Sequence, residues 1–223
     1  MFLATVTRPD IAFAVGKVSA FLNNHDVNHW NAVKRIIRYL LNTVDRGVLY
    51  ESGGSNEEIE GYVDADFAED LETRRSTTGY VFLLGNGAVT WTAQRQKMVT
   101  ISTTEAEYVA AAAAAKEAIW LRRLLSGLER NCNRATKVFI DNQSTLRLVQ
   151  NSEFHKRTKH IDVRCHFIRE KVLSGKIDTK CVNTTKQKAD LFTKALPRDR
   201  FKALCQLINL IERNMCSNGG SVA

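Results

Sequence analysis

Acidic side chains recur in four segments of this 223-residue chain where the surrounding pattern predicts ordered structure. In the segment 61–68, Tyr62, Asp64 and Asp66 alternate with apolar residues, which is the period of a β-strand. A carboxylate held on a rigid strand is a good ligand for a hard cation, whereas the alternative is a half-solvated strand whose polar face meets water. Periodicity does not choose between Asp64 and Asp66. Three later acids stand in comparably ordered settings: Glu107, Asp141 and Asp190.

A helix predicted from Thr103 to about Leu128 carries two glutamates, Glu105 and Glu107, which lie about 200° apart around its axis. The stripe that begins at Glu107 continues through alanine and leucine, and the stripe that begins at Glu105 is partly charged. We therefore expect Glu107 to lie at the buried edge of the helix. For either glutamate, the alternative is a favourable interaction with the helix dipole.

The other two acids stand at the ends of predicted elements. Asp141 closes the apolar strand 137–141, at the edge where ligand sites of open α/β sheets collect, although a turn-forming role is the alternative. Asp190 lies near the start of a helix predicted over 188–196, after a capping box at 184–187. The helix dipole alone could account for Asp190.

The elements that must position these acids form an α/β pattern. Three strands are followed by a helix, a strand, helices, a strand and more helices, which predicts a five-stranded mixed sheet with a meander at one end and parallel crossovers at the other. The last helix is expected to run from Pro197 to Ile211. The predicted divisions are a helical hairpin at 1–50, a linker at 51–60, the α/β domain at 61–213 and a flexible tail at 214–223.

Composition limits the partners and the compartment. The net charge is +8, and the basic excess is concentrated in residues 155–202, which favours a polyanionic partner over lipid; a solvated basic face is the alternative. We expect no membrane span, because charges interrupt the longest apolar runs, and no signal peptide, because the first residues lack a basic region followed by an apolar core. The five cysteines contain no C-x-x-C pair and predict a reducing compartment.

Six motifs form a specific pattern: Gly61-Tyr-Val-Asp-Ala-Asp-Phe-Ala, Arg74-Arg-Ser-Thr-Thr-Gly-Tyr-Val-Phe, Ser102-Thr-Thr-Glu-Ala-Glu-Tyr-Val-Ala, Asp141-Asn-Gln-Ser, Arg157-Thr-Lys-His-Ile-Asp-Val-Arg and Ala189-Asp-Leu-Phe-Thr-Lys. This pattern resembles the ribonuclease H domain of copia-type retrotransposon polyproteins. Residues 1–50, with Thr7-Arg-Pro-Asp-Ile and Lys34-Arg-Ile-Ile-Arg-Tyr-Leu, resemble the end of the reverse transcriptase that precedes that domain.

The resemblance implies a ribonuclease H-like fold and selects Asp64 over Asp66. It makes Asp64, Glu107, Asp141 and Asp190 the catalytic acids and metal ligands of an endonuclease that cleaves the RNA strand of RNA/DNA hybrids. Oxygen ligands without histidine or thiolate suit two Mg²⁺ ions, for which Mn²⁺ can substitute; no other cofactor is expected. Asp64 and Asp141 would bridge or bind the metals, while Glu107 and Asp190 would each complete one coordination sphere.

The nucleic acid is expected to contact the basic stretch after residue 153. The candidates are Lys156, Arg157, Lys159, His160 and Arg164, and a surface or capping role is the alternative for the histidine. The upstream reverse transcriptase of the parent polyprotein is the expected protein partner. The expected location is the cytoplasm, in virus-like particles, or alternatively the nucleus.

Three rival functions can be compared with features of the sequence. A reverse transcriptase needs two adjacent aspartates, but Ala65 follows Asp64. An integrase would have its three acids in the order Asp, Asp, Glu, whereas here Glu107 comes second. A start at Met1 within the polymerase-like part predicts a truncated product, with an apolar stripe exposed around Trp30. The remaining alternative is therefore a catalytically idle nucleic-acid-binding remnant or domesticated module of the same fold.

Overall fold

The structure is a computed structural model that describes residues 1–50, 58–70, 72–129, 134–150 and 159–213. The predicted tail and residues 51–57 of the predicted linker lie outside these ranges. In 159–165 only the backbone is described. Among the helices of the described residues, none combines the length and hydropathy needed to cross a membrane.

The central sheet has five strands in the order β4-β3-β2-β5-β6. An antiparallel meander is formed by β2 (Glu60–Asp66), β3 (Thr77–Leu84) and β4 (Gly87–Arg95), and the sheet continues in parallel with β5 (Thr136–Ile140) and β6 (Ile177–Cys181). Between β3 and β4, both Gly85 and Asn86 have positive φ, as a type I′ hairpin turn requires. This mixed sheet, flanked by helices, confirms the predicted fold class.

Helices cover both faces of the sheet. One face packs against α4 (Thr103–Gly127), which is joined there by α5 (Gln143–Gln150) and α6 (Lys159–Leu173). Six buried alanines of α4 allow its close approach, because they add only a methyl group to the backbone: Ala106, Ala110, Ala111, Ala114, Ala115 and Ala118. The opposite face packs against α7 (Asp190–Thr193) and α8 (Arg198–Leu207), where Phe192 and Leu204 are fully buried.

The N-terminal residues form the predicted helical hairpin and contact the sheet. They contain α1 (Phe2–Val6), a 3-10 helix (Pro9–Ile11), α2 (Ala12–Ser19) and α3 (Val27–Leu41), followed by β1 (Arg46–Val48). Trp91 of β4 donates a hydrogen bond to the carbonyl of Ala4 at 2.7 Å, and Ala12 belongs to the same core as Phe192. In contrast, α3 buries none of its residues, and Trp30 is 56% exposed. The division of the chain into domains stays a prediction.

The helix predicted over 188–196 is much shorter in the structure. A 3-10 helix (Thr184–Lys186) precedes α7, which has a single turn. The predicted capping box is wrong, because Asn183 accepts the hydrogen bond from the Thr185 N–H. Gln187 is instead fully buried, and its amide donates to the Val63 carbonyl at 2.8 Å. A tertiary bond to the central strand therefore takes the side chain that the local pattern assigned to a cap.

The prediction that the last helix reaches Ile211 is also wrong. After α8, Asn209 adopts a left-handed backbone with φ of 57°, which ends the helix, and its amide donates to the Leu49 carbonyl at 2.8 Å. The chain then forms β7 (Leu210–Glu212), which pairs antiparallel with β1. Pairing with a distant strand thus replaces the last helical turn.

Candidate active site

Asp64 and Asp141 lie side by side because β2 and β5 run parallel. In the register of these strands Tyr62 is opposite Phe139, so Asp64 and Asp141 each stand two residues further along. Asp64 lies within β2 and is 2% exposed, whereas Asp141 directly follows β5 and is partly exposed. The strand pairing therefore places one buried and one accessible carboxylate next to each other.

Glu107 brings a third carboxylate from α4. One ligand oxygen of each acid can be chosen so that those of Asp64, Glu107 and Asp141 all lie within 4.8 Å of one another. Glu107 is 6% exposed, and its Oε2 atom has no hydrogen-bond partner among the described residues. A buried carboxylate with one oxygen lacking a partner, in a group with two further carboxylates, fits the ligand chemistry of a divalent metal ion such as Mg²⁺ or Mn²⁺.

The electrostatics of the three acids reflect this crowding. Burial, followed by the negative charges of Asp64 and Asp141, raises the pKa of Glu107 to about 9. Burial and the charge of Asp64 also raise the pKa of Asp141, while Lys194 acts in the opposite direction. Without a bound cation, the raised pKa values favour the protonated forms of Glu107 and Asp141.

Asp190 is buried beside the cluster but has cationic partners of its own. Its Oδ1 lies 2.8 Å from the ammonium of Lys194, and its Oδ2 lies 3.2 Å from a guanidinium nitrogen of Arg200. The same ammonium lies 3.1 Å from Oδ2 of Asp64. Burial alone would lower the pKa of Lys194, but the charges of Asp64 and Asp190 raise it above the usual lysine value. Asp190 is thus joined to Asp64 through a lysine, and its role as a metal ligand stays a prediction.

The position of α7 depends on a glycine opposite Asp64. Gly79 of β3 is the register partner of Asp64, and a Cβ there would lie 2.5 Å from Cγ2 of Thr193. Because Gly79 leaves this space open, Thr193 reaches Asp64 and donates a hydrogen bond to its Oδ2. The glycine therefore permits the contact that orients the carboxylate.

Asp66 and Glu105, the alternatives to Asp64 and Glu107, have other surroundings. Asp66 is outside the group of three; burial, and then the hydrogen bond and charge of Glu69, raise its pKa to about 7. Glu105 is 5% exposed, and its carboxylate accepts a hydrogen bond from the Ile101 N–H at 2.8 Å just before α4. Both glutamates of the helix are thus buried, and Glu107 is the one beside Asp64.

Sequence reasoning missed Thr193, Lys194 and Gly79 as parts of the site. A signal for the first two was present, since they follow Asp190 by three and four residues and so lie on its side of a helix. The signal for Gly79 was a glycine inside a strand pattern, which often marks close approach of another backbone.

The structure does not test the predicted nucleic-acid contacts. Lys156 and Arg157 lie outside the described residues. Lys159, His160 and Arg164 belong to α6, but their side chains are not described. These five residues stay predictions.

Known proteins provide a separate line of information. No protein-family model matches the chain. It is 45% identical over 210 residues to the retrovirus-related Pol polyprotein from transposon TNT 1-94 of Nicotiana tabacum, covering 94% of this chain and 16% of that protein. The corresponding polyprotein from transposon RE2 of Arabidopsis thaliana is 37% identical over 206 residues, covering 92% of this chain and 14% of that protein. The chain thus spans about a sixth of the length of these relatives.

Among solved structures, the chain is similar to LC11-RNase H1 in complex with an RNA/DNA hybrid, with a TM-score of 0.45 and 14% identity over 61% of this chain and 94% of that one. Sequence identity across almost the whole chain confirms the resemblance that the motifs indicated. The chain belongs to the retrovirus-related Pol polyproteins of copia-type transposons, as a segment folded around a five-stranded mixed sheet.

Proposed function

We propose that this segment is a metal-dependent endonuclease that hydrolyses the RNA strand of RNA/DNA hybrids. The observation that carries the proposal is the group formed by Asp64, Glu107 and Asp141, in which Oε2 of Glu107 is buried without a partner among the described residues. A purely structural cluster would be expected to satisfy such an atom. Membership of the Pol polyprotein family supports a nuclease role within a retrotransposon.

Asp64, Glu107 and Asp141 would hold divalent metal ions, with Asp190 as the proposed fourth ligand. When bound, such ions supply an activated water and stabilise the negative charge that develops on the leaving 3′ oxygen. Thr193 fixes the orientation of Asp64 through its hydrogen bond. Asp141 is the partly exposed member of the group, so the scissile phosphate would approach from its side.

Choice of the RNA strand would depend on contacts to its 2′-hydroxyl groups across the minor groove. The basic stretch after residue 153 is proposed to hold the nucleic-acid backbone, in keeping with the net charge of +8. We further propose that the segment acts alongside the upstream reverse transcriptase of the polyprotein, in the cytoplasm.

The test is cleavage of an end-labelled RNA/DNA hybrid with Mg²⁺, compared with single-stranded RNA. Glu107→Gln should lower the rate at least about 100-fold, since losing roughly 3 kcal/mol of transition-state stabilisation has that effect. Glu105→Gln is the matched control, because glutamine can still accept the hydrogen bond from Ile101 and the residue lies outside the group. Equal rates for Glu107→Gln and the wild-type chain would contradict the proposal.

A folded protein that binds the hybrid without cutting it would contradict the proposed activity. In that case the function would instead be that of an idle nucleic-acid-binding module.

A further inference from the structure

Lys194 places a positive charge between two carboxylates of the candidate site. Its ammonium lies 2.8 Å from Asp190 and 3.1 Å from Asp64. Both acid side chains are at most 7% exposed, whereas the lysine side chain is 37% exposed. The ammonium thus contacts two buried carboxylates, while the lysine side chain as a whole remains partly exposed.

These contacts divide the site into two unlike halves. On one side, Oδ2 of Asp64 receives both the Thr193 hydroxyl and the Lys194 ammonium, and Asp190 is held by Lys194 and Arg200. On the other side, Oε2 of Glu107 has no partner among the described residues. A divalent ion could bind beside Glu107 without displacing a protein cation, but it could not bind between Asp64 and Asp190 in the same way.

We propose that Lys194 is a tethered counter-ion that holds Asp64 and Asp190 together in the metal-free protein and competes with a divalent ion for them. Lys194 is then a positioning residue, and the ion on the Asp64–Asp190 side binds more weakly than these carboxylates alone would allow. This inference rests on the proposed function only in taking Asp64 and Asp190 as metal ligands.

The competition has a direction that can be measured. The Lys194 ammonium and a metal ion cannot occupy the same carboxylate oxygens of Asp64 and Asp190 at once. Each therefore lowers the apparent affinity of these carboxylates for the other. Removing the ammonium should therefore tighten metal binding, by roughly 10-fold within the usual range of coupling between two sites. It should also leave the metal-free acids without a counter-charge and lower the Tm in EDTA.

The experiment titrates the full chain with Mn²⁺ alone and follows binding by electron paramagnetic resonance. Lys194→Met removes the charge but keeps a stem of similar length, and Lys194→Arg keeps the charge. Lys186→Met is the matched control: this lysine is exposed, and no ion pair is described for it within residues 159–213. We expect tighter Mn²⁺ binding for Lys194→Met only, with Lys194→Arg remaining near the wild type. Circular dichroism shows whether each variant is folded, and Lys194→Gln replaces Lys194→Met if that variant does not fold.

The outcomes separate this inference from the proposed function. Unchanged or weaker Mn²⁺ binding in folded Lys194→Met overturns the counter-ion role, while the metal-dependent function stands as long as the wild type binds. Absence of binding in every folded variant overturns both. Binding by Lys194→Met that the wild type lacks, or tighter binding without any hybrid cleavage, supports the counter-ion role whatever the enzyme activity is.

Discussion

Replacing Glu107 with glutamine is expected to stabilise the metal-free protein, although it removes a proposed catalytic acid. Burial and the charges of Asp64 and Asp141 raise the pKa of Glu107 from 4.5 to about 9. Between these two values, the folded protein holds a proton that the unfolded chain releases. The stability of the wild type therefore falls as the pH rises through this interval, because the native state binds more protons than the unfolded state.

The size of the effect follows from the same two pKa values. Each pH unit within the interval lowers the free energy of unfolding by at most about 1.4 kcal/mol. The upper limit between pH 4.5 and neutral pH is therefore roughly 3.4 kcal/mol. Because neighbouring carboxyl groups share the protons, we expect about 2 kcal/mol from Glu107 alone. Glutamine keeps the shape of the side chain without the charge and should recover this amount.

Urea unfolding in EDTA, followed by tryptophan fluorescence, measures the difference. Wild type and Glu107→Gln should have similar stability near pH 5, and the variant should be the more stable one near pH 7.5. Adding Mg²⁺ should stabilise the wild type more than the variant. Glu105→Gln, on the same helix, should show no such gain. If Glu107→Gln were less stable than the wild type in EDTA at neutral pH, the reasoning would be refuted.

Three further changes have definite expected outcomes. Gly79→Ala should reduce stability by about 1 to 3 kcal/mol and weaken Mn²⁺ binding, because the added methyl group pushes against Thr193. Thr193→Val should cost about 1 kcal/mol in urea unfolding and slow hybrid cleavage, because it removes the hydrogen bond to Asp64. The ion pair with Arg95 lowers the pKa of Asp70 to about 2. Its contribution to the free energy of unfolding, below about 1 kcal/mol, should disappear as the pH falls from about 4 to 2 and should be missing in Asp70→Asn.

Each of these changes has a control of its own. Gly47→Ala should change little, since nothing lies within 4 Å of an added Cβ there. Thr193→Ser keeps the hydroxyl and should retain most of the cleavage rate. Unaltered Mn²⁺ binding in Gly79→Ala would show that α7 can move without disturbing the acids. Acid unfolding curves of equal slope for wild type and Asp70→Asn would exclude the contribution of the ion pair with Arg95.

The parts of the fold that follow local rules could be predicted from the sequence. Alternation of polar and apolar residues predicted β2, and the Gly85-Asn86 turn predicted the hairpin of β3 and β4. The stripe of small residues in α4 indicated that Glu107 is the glutamate beside β2. Neighbouring parallel strands then required Asp64 and Asp141 to meet, because their register is fixed by backbone hydrogen bonds. The resemblance to a family, not periodicity, distinguished Asp64 from Asp66.

The remaining features depend on partners that are distant along the chain. Gln187 reads as part of a helix cap, but its bond to Val63 crosses 124 positions. Lys194, which pairs with Asp64, is separated from it by a similar number of positions along the sequence. In the sequence it looks like one more member of a basic stretch. Such contacts arise from tertiary packing, which overrides local propensity and leaves no periodic signal.

The pairing of β1 with β7 has a consequence for how the protein is made. The ion pair between Arg46 and Glu212 at the edge of this small sheet joins residues 166 positions apart. At a translation rate of about 5 to 20 residues per second, roughly 8 to 33 seconds pass between synthesis of the two partners. During that time β1 cannot form its ladder, and the half-buried face of the amphipathic α3 before it lacks the contact of Tyr39 with Phe201. The helices before β1 would therefore be natural substrates for chaperones until β7 has left the ribosome.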